Sequence, residues 1–340
     1  MPAPSPNPSP AALHPRTALF DADEPAPPAL PVCDHYCGVE SRMRKSLELQ
    51  ARLGPVFDVT LDAEDGAPVG GEVEHALLIA SLMGGQANRF GRVGARILPV
   101  DHPRFDDVLQ IVLGAAHAPA YVMLPKPRSL TDVAHAAAAL DAVGGGSVPL
   151  HALIETHGAL AEVGAIAAHP RIESLSFGLM DFVSAHRGAI PASAMSARGQ
   201  FEHPLVVRAK LEIAAACHAH AKVPSHCVVT EFKHAAALME AASKACRQFG
   251  YTRMWSIHPD QIRPIVDAFT PSVAEVDQAI EILGAAQAAG WAPTRHRDTL
   301  HDRASYRYFW QILERAHRTS YADGPQLPAE VRRAYFDESV

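Results

Sequence analysis

From Val32 onward, short apolar runs alternate with longer stretches in which apolar positions recur at helical spacing. The runs fall at 32–39, 56–61, 95–100, 121–124, 150–154, 172–180, 227–230 and 254–257. The helical stretches run through residue 52, then cover 71–83, 105–113, 130–142, 158–168, 205–221, 234–248 and 260–268. Parallel strands covered on both faces read as continuous apolar runs, and each needs a crossover helix to return to the same end of its sheet. Eight strand–helix units in about 230 residues therefore predict a (β/α)8 TIM barrel. A doubly wound open sheet is the competing architecture, but it more often opens with a Gly-rich phosphate loop, which is missing. Two additional C-terminal helices, 273–289 and 302–318, follow the barrel. The expected organisation is a Pro- and Ala-rich arm at 1–30, disordered or draped because it has little to bury, a barrel at 31–270, and a helical extension and tail at 271–340.

Two neighbouring runs end on a carboxylate, Glu155 after LHALI and Asp181 after IESLSFGLM. A carboxylate that closes a buried strand needs a metal, a cation or hydrogen bonds to offset its desolvation. Each could cap the helix that follows. Adjacent parallel strands would also bring both to one rim, where they could share a divalent ion. Barrel chemistry sits at the strand C-termini, and charged residues gather there: Asp62, Glu64 and Asp65 after the second run, Arg96 and Asp101 around the third, and Lys126 after the fourth. Glu231, His258 and Asp260 follow the last two runs.

The 340 residues are 48% hydrophobic and 20% charged, as in ordinary globular proteins. A net charge of −7 and a pI near 6.2 leave no basic stripe for nucleic acid. No run reaches membrane-spanning length, and no basic region followed by an apolar core reads as a secretory leader, so a cytoplasmic location is expected. Five scattered cysteines suggest no disulfide framework, and Cys33 and Cys37 lack a second ligand pair for structural zinc. Ser256, His258 and Asp260 are too close along one strand end for a hydrolytic triad.

Six segments in order resemble the HpcH/HpaI aldolase and citrate lyase β-subunit superfamily, specifically its CitE-like acyl-CoA lyase branch: LDAEDGAP at 61–68, ARILPVDHPRFDDVL at 95–109, LPKPRS at 124–129, ALIETHGAL at 152–160, FGLMDF at 177–182 and SIHPDQI at 256–262. The resemblance implies that Glu155 and Asp181 bind Mg²⁺, which retains waters and takes further ligands from substrate oxygens. It assigns Arg96 to the keto-acid portion of the substrate, a bidentate task suited to guanidinium, with a rim salt bridge as the alternative. The backbone N–H groups of Gly178, Leu179 and Met180 would receive the substrate carboxylate. Glu64 and Asp65 form an acidic pair that orders metal waters or positions Arg96. Lys126 pairs with acids or contacts ligand. The family's trimers carry a C-terminal helix that delivers an aspartate to a neighbouring barrel. Asp302 matches that position, and a helix N-cap is its other reading.

The implied reaction is metal-dependent C–C cleavage of a 3-hydroxyacyl-CoA of the citramalyl-, malyl- or citryl-CoA type, giving a short acyl-CoA and a 2-keto acid. Asp302 of a neighbour, or a metal-ordered water held by Glu64, would serve as acid or base. A metal-dependent 2-keto acid aldolase without CoA and a non-catalytic lyase-complex subunit are the alternatives. The chain departs from the family where Arg-x-Asn becomes Arg96-Ile97-Leu98, in FVSAHRG after Asp181, in Pro224-Ser225-His226, and in HYCG of the first run. These departures bear on the substrate more than on the reaction class.

Overall fold

The computed structural model describes residues 13–66, 68–321 and 324–337. The first part of the expected arm and the last residues of the tail lie outside them. Two compact units are distinguished: Pro27–Phe269, and the chain up to Ala26 together with that from Thr270.

In the first unit, β1 (Cys33–Cys37), β2 (Phe57–Asp62), β3 (Val93–Arg96), β4 (Val122–Leu124), β5 (Leu150–Ile154), β6 (Ile172–Phe177), β7 (Val223–His226) and β8 (Arg253–Ser256) form one closed barrel. Every pairing is parallel, and β8 returns to β1. This is the expected (β/α)8 architecture. Because α1 (Pro15–Leu19) lies in the other unit, the barrel helices are α2 (Glu40–Leu53), α3 (Glu72–Met83), α4 (Phe105–Leu113), α5 (Leu130–Ala142), α6 (His157–Ala161), α7 (Val163–Ala168), α8 (Leu179–Ser184), α9 (Pro204–Ala219), α10 (Ala235–Arg247) and α11 (Ile262–Phe269).

Four boundaries differ from the sequence expectation, each for a local reason. Strand β7 lies before the apolar run at 227–230; Pro224, Ser225 and His226 are weak strand formers by type, yet all are buried in it. Strand β3 begins earlier than expected, so Arg96 closes the strand. Strand β6 stops at Phe177, and Leu179 and Met180 open α8, which puts Asp181 in a helix's first turn. The helix expected at 158–168 is split at Glu162, whose carboxylate accepts from the Leu130 amide at 2.7 Å.

The floor of the barrel is ionic. Fully buried Arg253 pairs with Asp34 at 3.0 Å and Asp58 at 2.5 Å, and Arg92 reaches Asp58 at 2.8 Å. Thr60 and Tyr121 hydroxyls donate to Asp34 at 2.7 and 3.0 Å. Tyr121 crosses so close to β3 that a Cβ on Gly94 would lie 2.3–2.6 Å from its ring carbons, which is why a glycine stands mid-strand. An apolar layer of Met123, Leu153 and Trp255 joins the part-buried Tyr36.

The second unit holds α1 (Pro15–Leu19), α12 (Val273–Ala288), a hairpin of β9 (Thr294–His296) and β10 (Thr299–His301), α13 (Arg303–Arg318) and α14 (Ala329–Tyr335). The arm expected to be disordered or draped carries α1 within its described part. Leu19 is fully buried in a core with Ile282, Leu283, Trp310 and Leu313. Its carbonyl accepts from Arg303 Nε at 3.0 Å and Arg307 Nε at 2.7 Å, which satisfies the end of α1.

Candidate active site

The C-terminal rim of the barrel brings together Arg96, Glu64, Asp65, Lys126, Glu155 and Asp181, with Asp62, which the sequence reading placed on the rim without a role, and Tyr36, which it did not single out. Asp62 closes β2 and is the register partner of Arg96, which closes β3. Arg96 Nε and Nη2 hold both Asp62 oxygens, at 2.6 and 3.0 Å. Nη1 lies 2.9 Å from Glu64, and Nη2 is 3.1 Å from Asp65. The Tyr36 hydroxyl accepts from Arg96 and donates to Asp62, and the guanidinium lies 4.6 Å from the Tyr36 ring centre. A fork with fixed donors suits this arrangement as a lysine would not. Burial would push Asp62 up, but bonds and charge from Arg96, with help from Tyr36, hold its carboxyl below the usual range.

Glu64 is set differently. Both of its oxygens are buried, with Lys126 Nζ at 2.6 Å and Arg96 at 2.9 Å, but neither contact is aligned as a hydrogen bond. Burial pushes its carboxyl up against the pull of these cations. Lys126 also faces Asp65 at 3.8 Å and Asp181 at 3.9 Å. Burial works against its charge, but Glu64 and then the other two acids hold its pKa above the ordinary value. Its backbone is in the left-handed region, φ 50°, which turns its N–H onto Glu155 Oε1 at 2.8 Å.

Glu155 is the least compensated group. It is buried, and among the described residues no lysine or arginine pairs with it. Burial first, and the nearby Asp181 charge second, push its carboxyl up to about 8. A Cβ on Gly178 would meet Glu155 Oε2, so the glycine makes room for the carboxylate. The Gly178 amide donates to Ile154 O at 3.2 Å, so it is not one of the amides left for a ligand. Leu179 and Met180 begin α8, where no side chain caps the helix and amides lack intrahelical acceptors.

Asp181 is half-exposed beside this buried carboxylate. Together the two supply a pair of carboxyl groups suited to a divalent cation that keeps several waters. Among the described residues no group of three or more His, Cys, Asp or Glu has metal-holding geometry, so substrate or solvent oxygens would complete the shell.

Asp302 lies in the other unit, capping α13 through the amides of Ala304 and Ser305 at 3.1 and 3.4 Å. Ser256 is buried and bonded to His35 at 2.7 Å, while His258 accepts from the Asp260 amide at 3.2 Å. No triad forms there. Glu231 accepts from the Ala197 amide at 2.8 Å and ties down a rim loop.

A parallel eight-stranded barrel with an acid-lined, arginine-centred C-terminal rim defines a (β/α)8 enzyme. No family model matches the chain. A citrate lyase of known structure from Burkholderia xenovorans LB400 is 54% identical, with 95% of this chain and 100% of that one covered and a TM-score of 0.82. The L-malyl-CoA/beta-methylmalyl-CoA lyase of Cereibacter sphaeroides is 28% identical over 320 residues, 87% of this chain and 98% of that protein. CitE of Mycobacterium tuberculosis, solved with magnesium, acetoacetate and coenzyme A, shares the fold at 21% identity and a TM-score of 0.65, over 85% of this chain and 98% of that one. The chain belongs to the HpcH/HpaI aldolase and citrate lyase superfamily, in its CitE-like acyl-CoA lyase branch. No helix among the described residues is long and apolar enough to cross a membrane.

Proposed function

We propose that the protein is a Mg²⁺-dependent carbon–carbon lyase that cleaves a 3-hydroxyacyl-CoA of the citramalyl-, malyl- or citryl-CoA type into a short acyl-CoA and a 2-keto acid, as a cytoplasmic homotrimer. The observation that carries it is Glu155, a buried carboxylate that no lysine or arginine among the described residues pairs with, standing beside Asp181. Glu155 and Asp181 would hold the ion. When bound, Mg²⁺ supplies Lewis acidity toward the substrate hydroxyl and carboxylate oxygens.

The chain's own residues do the rest. Arg96 binds the keto-acid carboxylate in exchange for Asp65, the more exposed of its acid partners. Leu179 and Met180 present amides to the same group. Lys126 fixes Glu64 in place and carries its charge toward Asp181. The substrate hydroxyl gives its proton to a base, the C–C bond breaks, and its electron pair passes to the acyl α-carbon, which an acid then protonates. Glu64, whose carboxyl burial pushes up, and Asp302 of a neighbouring subunit are the two candidates for this proton traffic.

The test is release of the short acyl-CoA from citramalyl-, malyl- and citryl-CoA, with Mg²⁺ and with EDTA, beside Asp181→Ala. Metal-dependent turnover of one thioester, lost in the variant, is expected. Turnover that neither EDTA nor Asp181→Ala diminishes would refute the assignment of the metal pair.

A further inference from the structure

Asp302 is held first by its own helix. Its Oδ1 accepts from the amides of Ala304 and Ser305, and its backbone N–H donates to Ser305 Oγ at 3.0 Å, a reciprocal cap on α13. The cap engages Oδ1 and leaves Oδ2 outside it, on an exposed side chain. A second hold comes from the segment that precedes the barrel. Arg303 and Arg307 follow Asp302 directly and stand one turn apart on one face of α13. Both Nε groups donate to the Leu19 carbonyl, while the outer nitrogens reach Asp21 at 2.9 Å and Glu24. The Arg307 guanidinium also lies 4.7 Å from the Phe20 ring centre. Leu19 is itself anchored, fully buried in the core of this unit.

Stability is a poor explanation for these two forks. Arg303 is 53% and Asp21 70% exposed, exposed ion pairs contribute little, and Leu19 is held by its core without them. What the forks add is direction. Two planar guanidinium groups sharing one carbonyl fix the rotation of the first turns of α13, as two lysines would not. We propose that Leu19–Glu24 is a positioning device for Asp302: Arg303 and Arg307, clamped onto it, set the direction in which Oδ2 is presented. This rests on the reading above in which Asp302 of a neighbouring subunit carries the proton. A carboxylate brought from another chain has to be placed to within about 1 Å to be effective, so a hold beyond its own cap has a use.

The test is a double-mutant cycle on the full-length protein with Mg²⁺, using whichever of citramalyl-, malyl- and citryl-CoA the wild type cleaves. Arg303→Met/Arg307→Met removes both forks and keeps the apolar stems. It is expected to lower kcat by about tenfold or more, with KM unchanged, and to cause no further loss in the Asp302→Asn background. Thermal melting checks the fold. Should that variant unfold, Asp21→Asn/Glu24→Gln keeps the Leu19 bonds and removes only the ion pairs, and a few-fold loss of kcat, again missing beside Asp302→Asn, is expected. If Asp302→Asn loses activity while the folded arm variants keep kcat within twofold, or if the losses multiply, the positioning role is overturned and the Asp302 reading stands. Unimpaired kcat in Asp302→Asn overturns both, and a wild type that cleaves none of the three thioesters overturns the reaction on which both rest.

Discussion

Gly178→Ala offers a sharp perturbation because its only penalty is room. The backbone there has φ −89° and ψ 82°, close to the inverse γ-turn minimum, which alanine also occupies. The added Cβ would lie 2.6 Å from Glu155 Cβ and 2.9 Å from its Cδ, and closer still to Oε2. Carbon–carbon contacts need roughly 3.5 Å, so the Glu155 side chain must retreat by about 1 Å as a body. Rotating its carboxylate does not relieve the contact at Cβ. Overpacking of this kind costs about 1–3 kcal/mol of stability. A displacement of about 1 Å in a positioning group lowers turnover by about 10²-fold, or ~2.7 kcal/mol in the barrier. The expected result is a folded variant with a modest loss in urea midpoint, weakened Mg²⁺ binding by titration, and kcat for thioester cleavage down about a hundredfold. A folded Gly178→Ala with wild-type metal affinity and kcat within threefold would refute the view that Gly178 exists to seat Glu155.

Lys210 is buried and bonded to Gln200 at 2.7 Å and His226 at 2.8 Å, with its ammonium 3.9 Å from the Phe201 ring centre, and burial lowers its pKa to about 8. The unfolded lysine keeps its proton to near pH 10.5, so between pH 8 and 10.5 folding releases a proton and stability rises with pH. Urea unfolding should show wild type gaining on Lys210→Met by ~3 kcal/mol over that window and not below it; a pH-independent difference sinks the idea. Asp302→Asn keeps a good N-cap and should leave thermal stability within about 0.5 kcal/mol, while a catalytic role in a neighbour predicts a large loss of kcat. Mixed with Asp181→Ala in co-refolded oligomers, it should then regain activity, and unimpaired kcat in Asp302→Asn alone would leave Glu64 as the proton carrier. Arg253→Met strands Asp34 in the barrel floor and deprives Asp58 of one cation, so unfolding free energy should fall by about 3–5 kcal/mol; a loss under about 1 kcal/mol would mean those acids are protonated or hydrated.

The barrel was legible because its strands are buried on both faces and its helices are long. The runs at 121–124 and 150–154 and the helices at 105–113 and 130–142 sit within a residue of the observed elements. What escaped has physical causes. The strand at Val223–His226 is polar by residue type and takes its apolar contacts from aromatic rings around His226, which no local pattern reveals. Helix α1 is too short for periodicity, and it is buried by helices more than 250 residues later in the chain. At the rim, Glu155, Asp181, Lys126 and the Glu64–Asp65 pair could be named from strand ends and motif resemblance. The central partner of Arg96 could not be ranked without register, since Asp62 differs from its acidic neighbours only in pairing directly across from the arginine. Tyr36 gave no signal beyond standing near the end of β1.

The second unit is assembled from segments that precede and follow the barrel in sequence. Arg303 and Arg307 reach the Leu19 carbonyl across 284 and 288 residues of chain. On the ribosome, Leu19 therefore emerges long before α13 and has no complete core to enter until that helix is made. At about 5–20 residues per second, that interval lasts roughly 15–60 s, long enough for the barrel strands to close on their own. The order of synthesis thus lets the barrel form before the second unit, and a pause or premature stop before α13 leaves a chain whose α1 lacks most of its core.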